Sequence, residues 1–254
     1  MGLAILHTEK GLFSMKKAFV FSDEKSEKFW NIDYSGADFA VNYGKTGTTG
    51  KYQIKEFGSD EECEKQALCM IAQKLKKGYK ETCFDYEAHF YFDDAEIGLH
   101  PKTSHPNFVR HFTDEFYYDC SDEEAPFGSD EGSDTLAHIE EYLRKNNARI
   151  FDDFPQFIVE TLWGMSYIPA DNLDPKAVKA LLEKDEMNTT QSDMVTYAVA
   201  FAAIKINGRI SPALKQRGLN AMERYKITAK ILGWGDGGEP EIGNRMISNL
   251  ASFE

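Results

Sequence analysis

The spacing of apolar residues changes sharply near residue 58, from every second position to every third or fourth. Residues 18–21 form a short apolar run. In 29–34, Trp30, Ile32 and Tyr34 recur on one side, and in 39–43 Phe39, Val41 and Tyr43 do the same. Residues 51–57 follow, with Tyr52 and Ile54 expected on the inner face. Side chains of a strand alternate between its two faces, so this period predicts four strands with one covered side. Ser35-Gly36 supplies a tight turn, and Gly44, Gly47 and Gly50 among Thr46, Thr48 and Thr49 supply a longer one. From Ser59 onward the pattern is helical. Ser59 or Asp60 can cap the first turn, where Asp60, Glu61, Glu62 and Glu64 suit the positive end of the dipole. Ala67, Leu68, Ile71 and Leu75 are spaced to cover the sheet. Lys74, Lys76 and Lys77 suit the carbonyl end, and Gly78 can stop the helix.

These residues carry a resemblance. Phe29-Trp30-Asn31-Ile32, then Tyr43-Gly44-Lys45-Thr46-Gly47-Thr48-Thr49-Gly50, then Phe57-Gly58-Ser59-Asp60, and the closing Lys76-Lys77-Gly78-Tyr79 together resemble the WGR (Trp-Gly-Arg) domain over residues 16–83. In that family a W-G-R or Y-G-R signature precedes a G-[ST]-x-G turn and the helix. The resemblance implies a small antiparallel sheet packed by one helix. It also implies a surface that touches a nucleic-acid end, as the signature Trp and Arg do in WGR domains beside the catalytic domains of DNA-damage-sensing poly(ADP-ribose) polymerases; a partner protein is the other contact expected of this surface. The candidate contact residues are Trp30, Tyr43, Gly44, Lys45 and Lys51. Two signature positions depart from Trp and Arg. Tyr43 still offers a ring for stacking, whereas Lys45 is a point charge without the bidentate fork of arginine.

Charge weighs on that choice. The net charge is −13, yet residues 1–83 hold 13 lysines against 12 acidic residues, leaving 16 basic against 30 acidic residues for 84–254. Acidic surface repels a phosphate backbone, so any nucleic-acid contact is expected in the first part, whose near-neutral balance favours a scaffold or protein-contact role for the turn. Four cysteines without metal-ligand spacing suit reduced thiols in a cytoplasm. No run reaches the roughly 20 apolar residues of a membrane helix. Glu9 and Lys10 argue against a secretory signal, and Met15 before Lys16-Lys17 is a second candidate start.

Residues 84–99 are expected as a linker or docking segment, with alternating aromatics over 84–92 that suggest a strand or an extended docking run. Residues 100–254 are expected as a mainly α-helical bundle, so the fold class is α+β. Helices are predicted after Pro106, after Ser133 or Asp134, after Asp153 and after Asp174-Pro175. Others are predicted through 194–206 to Asn207-Gly208, after Ser211-Pro212, and over about 241–251. The glycine-rich 233–238 lacks the neighbours of a phosphate loop and reads as a connection anchored by Trp234.

One stretch departs from bundle patterning: His100-Pro101, His105-Pro106, then Asp119 and Pro126-Phe127-Gly128-Ser129-Asp130 with Gly132 and Asp134. It resembles the YfeS-like bacterial proteins, a family without an assigned activity, over roughly 100–145. His100, His105, Asp119, Asp130 and Asp134 could supply nitrogen and oxygen ligands or an acid–base pair. The same carboxylates also suit helix starts, Gly128 and Gly132 suit turns, and Phe127 suits a bundle plug. No catalytic set and no cofactor motif stands out. The favoured reading is a non-enzymatic cytoplasmic binding or adaptor protein. The alternative is a metal- or ligand-dependent enzyme centred on His105 and the 119–134 turn.

Overall fold

The computed structural model describes residues 15–146, 148–234 and 241–254, and the chain divides into two units between Tyr86 and Glu87. Readings on residues 1–14 and 235–238 lie outside the described residues.

In the first unit the alternating segments become β1 (Met15–Ser22), β2 (Glu27–Ser35), β3 (Asp38–Lys45) and β4 (Lys51–Glu56). With β5 (Lys80–Thr82) they form an antiparallel sheet in the order β4-β3-β2-β1-β5. The fifth strand has no apolar period to announce it; its three exposed residues join β1 through backbone pairing at Ala18, Phe19 and Val20. The helix α1 (Asp60–Lys76) opens at Ser59, whose side chain accepts the Glu62 N–H. It covers a core of Phe19, Trp30, Ile32, Tyr34, Phe39 and Val41 with Cys63, Ala67 and Ile71. These three are small or slim and stand one turn apart, so the helix can approach a ring-rich sheet closely.

The packing departs from the sequence expectation at two places. Leu68 and Leu75 do not cover the sheet; each is 48% exposed. Tyr52 and Ile54 pair with Asn42 and Ala40, which places them on the reverse of the sheet from Val41 and α1. A one-residue change of register inverts the face of every side chain, and residue type alone does not choose between two buried faces. On the reverse face Lys16 pairs with Asp33 at 3.1 Å, and its ammonium lies over the rings of Phe84 and Tyr86 at 5.0 and 5.7 Å. Residues 84–92 therefore form no strand. Phe84 and Tyr86 serve the first unit, and Tyr91 and Phe92 are buried in the second.

The second unit comprises α2 (Pro106–His111), α3 (Asp130–Asn146), α4 (Phe154–Gln156) running into a π-helical turn (Phe157–Leu162), α5 (Pro175–Asn207), α6 (Pro212–Leu232) and α7 (Glu241–Ser252). The apolar second half of α5 is the centre of the bundle, packed by α2, α3, α4 and α6. Asp174 and Ser211 cap α5 and α6 as their sequences predict. Helix α5 breaks at Asp185, whose carboxylate accepts the Asn188 N–H at 3.2 Å and caps the second half. The cap of α3 is Ser129, a turn earlier than Ser133 or Asp134, because its hydroxyl takes the Gly132 N–H at 3.1 Å. Arg224 on α6 grips both oxygens of buried Asp193 at 3.0 Å. It also donates to the carbonyls of Ile168 and Pro169, fixing the irregular 163–174 segment. Among the described residues, no helix is long and apolar enough to cross a membrane.

Candidate functional site

Strand register gathers basic side chains at one end of the first unit. Trp30 stands opposite Tyr43, and Tyr43 opposite Lys51. In the next row, on the same side of the sheet, Lys28 stands opposite Lys45. The last turn of α1 adds Lys74, whose ammonium lies 5.1 Å from the Trp30 ring centroid and 5.0 Å from that of Tyr79. Partial burial and the charges of Lys77 and Lys28 hold the Lys74 ammonium below the usual lysine range. None of Lys28, Lys45, Lys51, Lys74 and Lys77 forms an ion pair among the described residues. Tyr43, 37% exposed, presents its ring among them. Trp30 is only 2% exposed, so its ring is closed to a ligand and supports Lys74 instead.

The signature glycine has a packing reason. A Cβ on Gly44 would stand 2.9 Å from the Gly50 Cα and 3.1 Å from the Thr48 hydroxyl. Gly50, at φ +71°, lies against the Phe29 ring, which a Cβ would overlap. Thr48 Oγ1 donates to the Lys45 carbonyl at 2.8 Å, and the Asn42 amide donates to the Thr49 carbonyl at 3.2 Å. The turn is thereby fastened to the reverse of the sheet, which sets where Tyr43 and Lys45 project.

The second group of expected site residues is not brought together. His100 Nδ1 accepts the Lys102 N–H and His105 Nδ1 the Asn107 N–H, each at 3.1 Å, so both imidazoles cap short helices. The His105 ring is buried edge-on to Tyr91 and fills the space a Cβ on Gly208 would need. Asp119 is exposed and accepts from the Ser121 hydroxyl and N–H, which hold its carboxyl below the usual range. Pro126 and Phe127 are buried, Gly128 lies against the Asp122 carbonyl, and Asp130 and Asp134 are exposed on the first turns of α3. Among the described residues, no group of three or more His, Cys, Asp and Glu is placed to hold a metal ion. A metal centre built on three or more of these residues has no geometric support among the described residues.

Sequence reasoning missed Lys28, Lys74 and Lys77 at the basic rim. Lys28 shares the strand face of Trp30, a signal open to the period-two pattern. The helix-dipole role of Lys74 and Lys77 concealed their second neighbourhood.

A strand-rich unit closed by one helix, with a glycine-locked turn presenting Tyr43 and Lys45, is the arrangement of a WGR-domain protein, and residues 15–85 match the family model of the WGR domain. The uncharacterized protein YfeS of Escherichia coli (strain K12) is 55% identical over 240 residues, which are 94% of this chain and 98% of that protein. The chain belongs to the YfeS family. Protein YehF of the same organism is 42% identical over 67 residues, 26% of this chain and 24% of its own length. A crystal structure of a Bacteroides fragilis protein is 34% identical where it aligns, covering 51% of this chain and 40% of that one, with a TM-score of 0.27.

Proposed function

We propose that this protein is a non-enzymatic cytoplasmic binding protein whose WGR domain holds the phosphates at a nucleic-acid end. The observation that carries the reading is the rim of Lys28, Lys45, Lys51, Lys74 and Lys77 around Tyr43, five cations with no carboxylate partner among the described residues. Three of the five come from strands, so pairing with a helix dipole does not account for them. Each lysine that neutralises a phosphate releases condensed counterions, which makes the affinity salt-dependent. Tyr43 adds a stacking face worth about 1–3 kcal/mol per base. The acidic balance of 84–254 confines such contact to the first unit. Lysine in place of arginine at Lys45 attracts phosphate without reading a base edge. Four free thiols, three of them exposed, suit a reducing compartment.

Fluorescence anisotropy with blunt and 5′-phosphorylated duplexes at roughly 50 and 200 mM salt tests the reading. Micromolar binding at low salt, lost at high salt and weakened by Tyr43→Ala and Lys45→Ala, supports it. No binding at low salt refutes it and leaves the protein-partner version. That version has its own observation in Leu68 and Leu75, two turns apart and exposed on α1.

A further inference from the structure

A second group of charges is buried in the helical unit, away from any cap. Asp93 Oδ1 lies 2.7 Å from the ammonium of Lys205 on α5 and 2.8 Å from the Thr103 hydroxyl. The Asp93 backbone N–H donates at 2.8 Å to Oε1 of Glu140 on α3, and Arg144 donates to Oε2 at 3.0 Å. The Lys205 side chain is 1% exposed, Glu140 12% and Asp93 15%. Arg144, a third exposed, is held from its other side by the Phe92 ring at 4.3 Å. Tyr118 has a buried hydroxyl without a hydrogen-bond partner among the described residues; burial and the Asp93 charge both push its pKa up, so it faces the cluster as a neutral phenol.

Two carboxylates thus share one site, with Lys205 as its fully buried cation and Arg144 as a partly exposed one. Burial disfavours a charged carboxylate, and a second carboxylate nearby disfavours it further. Asp93 Oδ1 takes both the fully buried Lys205 ammonium and the Thr103 hydroxyl, whereas the cation on Glu140, Arg144, is a third exposed, so Glu140 is the less compensated of the two. We propose that Asp93, Glu140 and Lys205 form a proton-linked clamp, in which a neutral Glu140 holds residues 91–104 against α3 and α5 and its ionisation loosens that segment. Oε1 of a neutral Glu140 still accepts the Asp93 N–H, so protonation does not open the clamp.

Burial, then the Asp93 charge, push the Glu140 carboxyl up to about 7, against the opposing pull of Lys205, the Asp93 N–H and Arg144. The ordinary value, 4.5, is that of the unfolded chain. Between these two values the folded state binds the extra proton. The stabilisation is therefore complete below the lower value and is lost as pH rises through the upper one.

Carboxyl ¹³C NMR on the full chain labelled at glutamate, with amide exchange over residues 91–104, tests the clamp. One glutamate is expected to titrate near pH 7. Its signal disappears in Glu140→Gln, and its midpoint falls in Asp93→Asn because the repelling charge is gone. Protection of 91–104, corrected for intrinsic exchange, should drop at least several-fold from about pH 6 to about pH 8 in the wild type and stay level in Glu140→Gln. The proposal is overturned if every glutamate titrates in the ordinary carboxylate range, or if Glu140→Gln keeps the wild-type pH response. Should Asp93→Asn fail to fold, the wild-type titration and the isosteric Glu140→Gln decide the matter.

Discussion

Replacing Gly50 by alanine tests whether the turn that presents Tyr43 and Lys45 is closed on the sheet by contact as well as by conformation. Gly50 has φ +71°, where a residue with a Cβ pays a steric penalty of about 1–2 kcal/mol. The new methyl would also overlap the Phe29 ring and stand 2.9 Å from the Tyr43 carbonyl. Forcing a group into a filled site adds about 1–3 kcal/mol. The expected loss is therefore about 3 kcal/mol, which lowers the melting temperature of a unit this size by roughly 15 °C. Gly47 supplies the control: φ is +84° with nothing within 4 Å of its Cβ, so alanine there loses only the conformational part. Urea unfolding followed by Trp30 fluorescence, in a background with Trp163 and Trp234 replaced by phenylalanine, reads this unit. Equal losses for Gly47→Ala and Gly50→Ala would mean that Phe29 simply moves aside, and the account of the locked turn would fail.

Other outcomes follow from single contacts. Ser129→Ala should destabilise the helical unit by about 1 kcal/mol through the lost cap, while Ser133→Ala should change it by less than about 0.5 kcal/mol; thermal denaturation separates the two. Arg224→Met leaves the Asp193 carboxylate buried without its partner and frees two carbonyls, so denaturant unfolding should show a loss of about 3–5 kcal/mol. Phe127→Ala should cost about 3–5 kcal/mol, given its burial beneath the start of α3. For the rim, Lys45→Ala should reduce the slope of log affinity against log salt by about 0.9 on a duplex, whatever its sequence; an unchanged slope would remove Lys45 from the phosphate contact.

The candidate rim was half legible. Tyr43, Lys45 and Lys51 could be named because the turn and strand order place them, and Trp30 could not be told from a surface ring because alternation reports a face and not its depth. The His and Asp residues of 100–134 had the composition of a metal site. Their positions follow from local backbone donors: His100, His105 and Asp119 each accept an N–H two residues on. A polar side chain beside a turn or helix start satisfies the nearest backbone N–H first, and a ring nitrogen or carboxylate oxygen used in this way serves the local backbone.

By itself the sequence determined the elements: four strands from a period of two, α1 from its cap and glycine stop, α6 from Ser211-Pro212, and the two halves of α5 as separate helices, the first from Asp174-Pro175. These signals are local, since backbone preference and capping act within a few residues. Only the tertiary structure decided what crosses between elements. It put Tyr52 and Ile54 behind the sheet, recruited Lys80–Thr82 as a fifth strand and turned Leu68 and Leu75 outward. It also joined Asp93 to Glu140 and Lys205, partners 47 and 112 residues away. Such pairings depend on register and on which charges burial leaves without water, and neither is written in the spacing of any one segment.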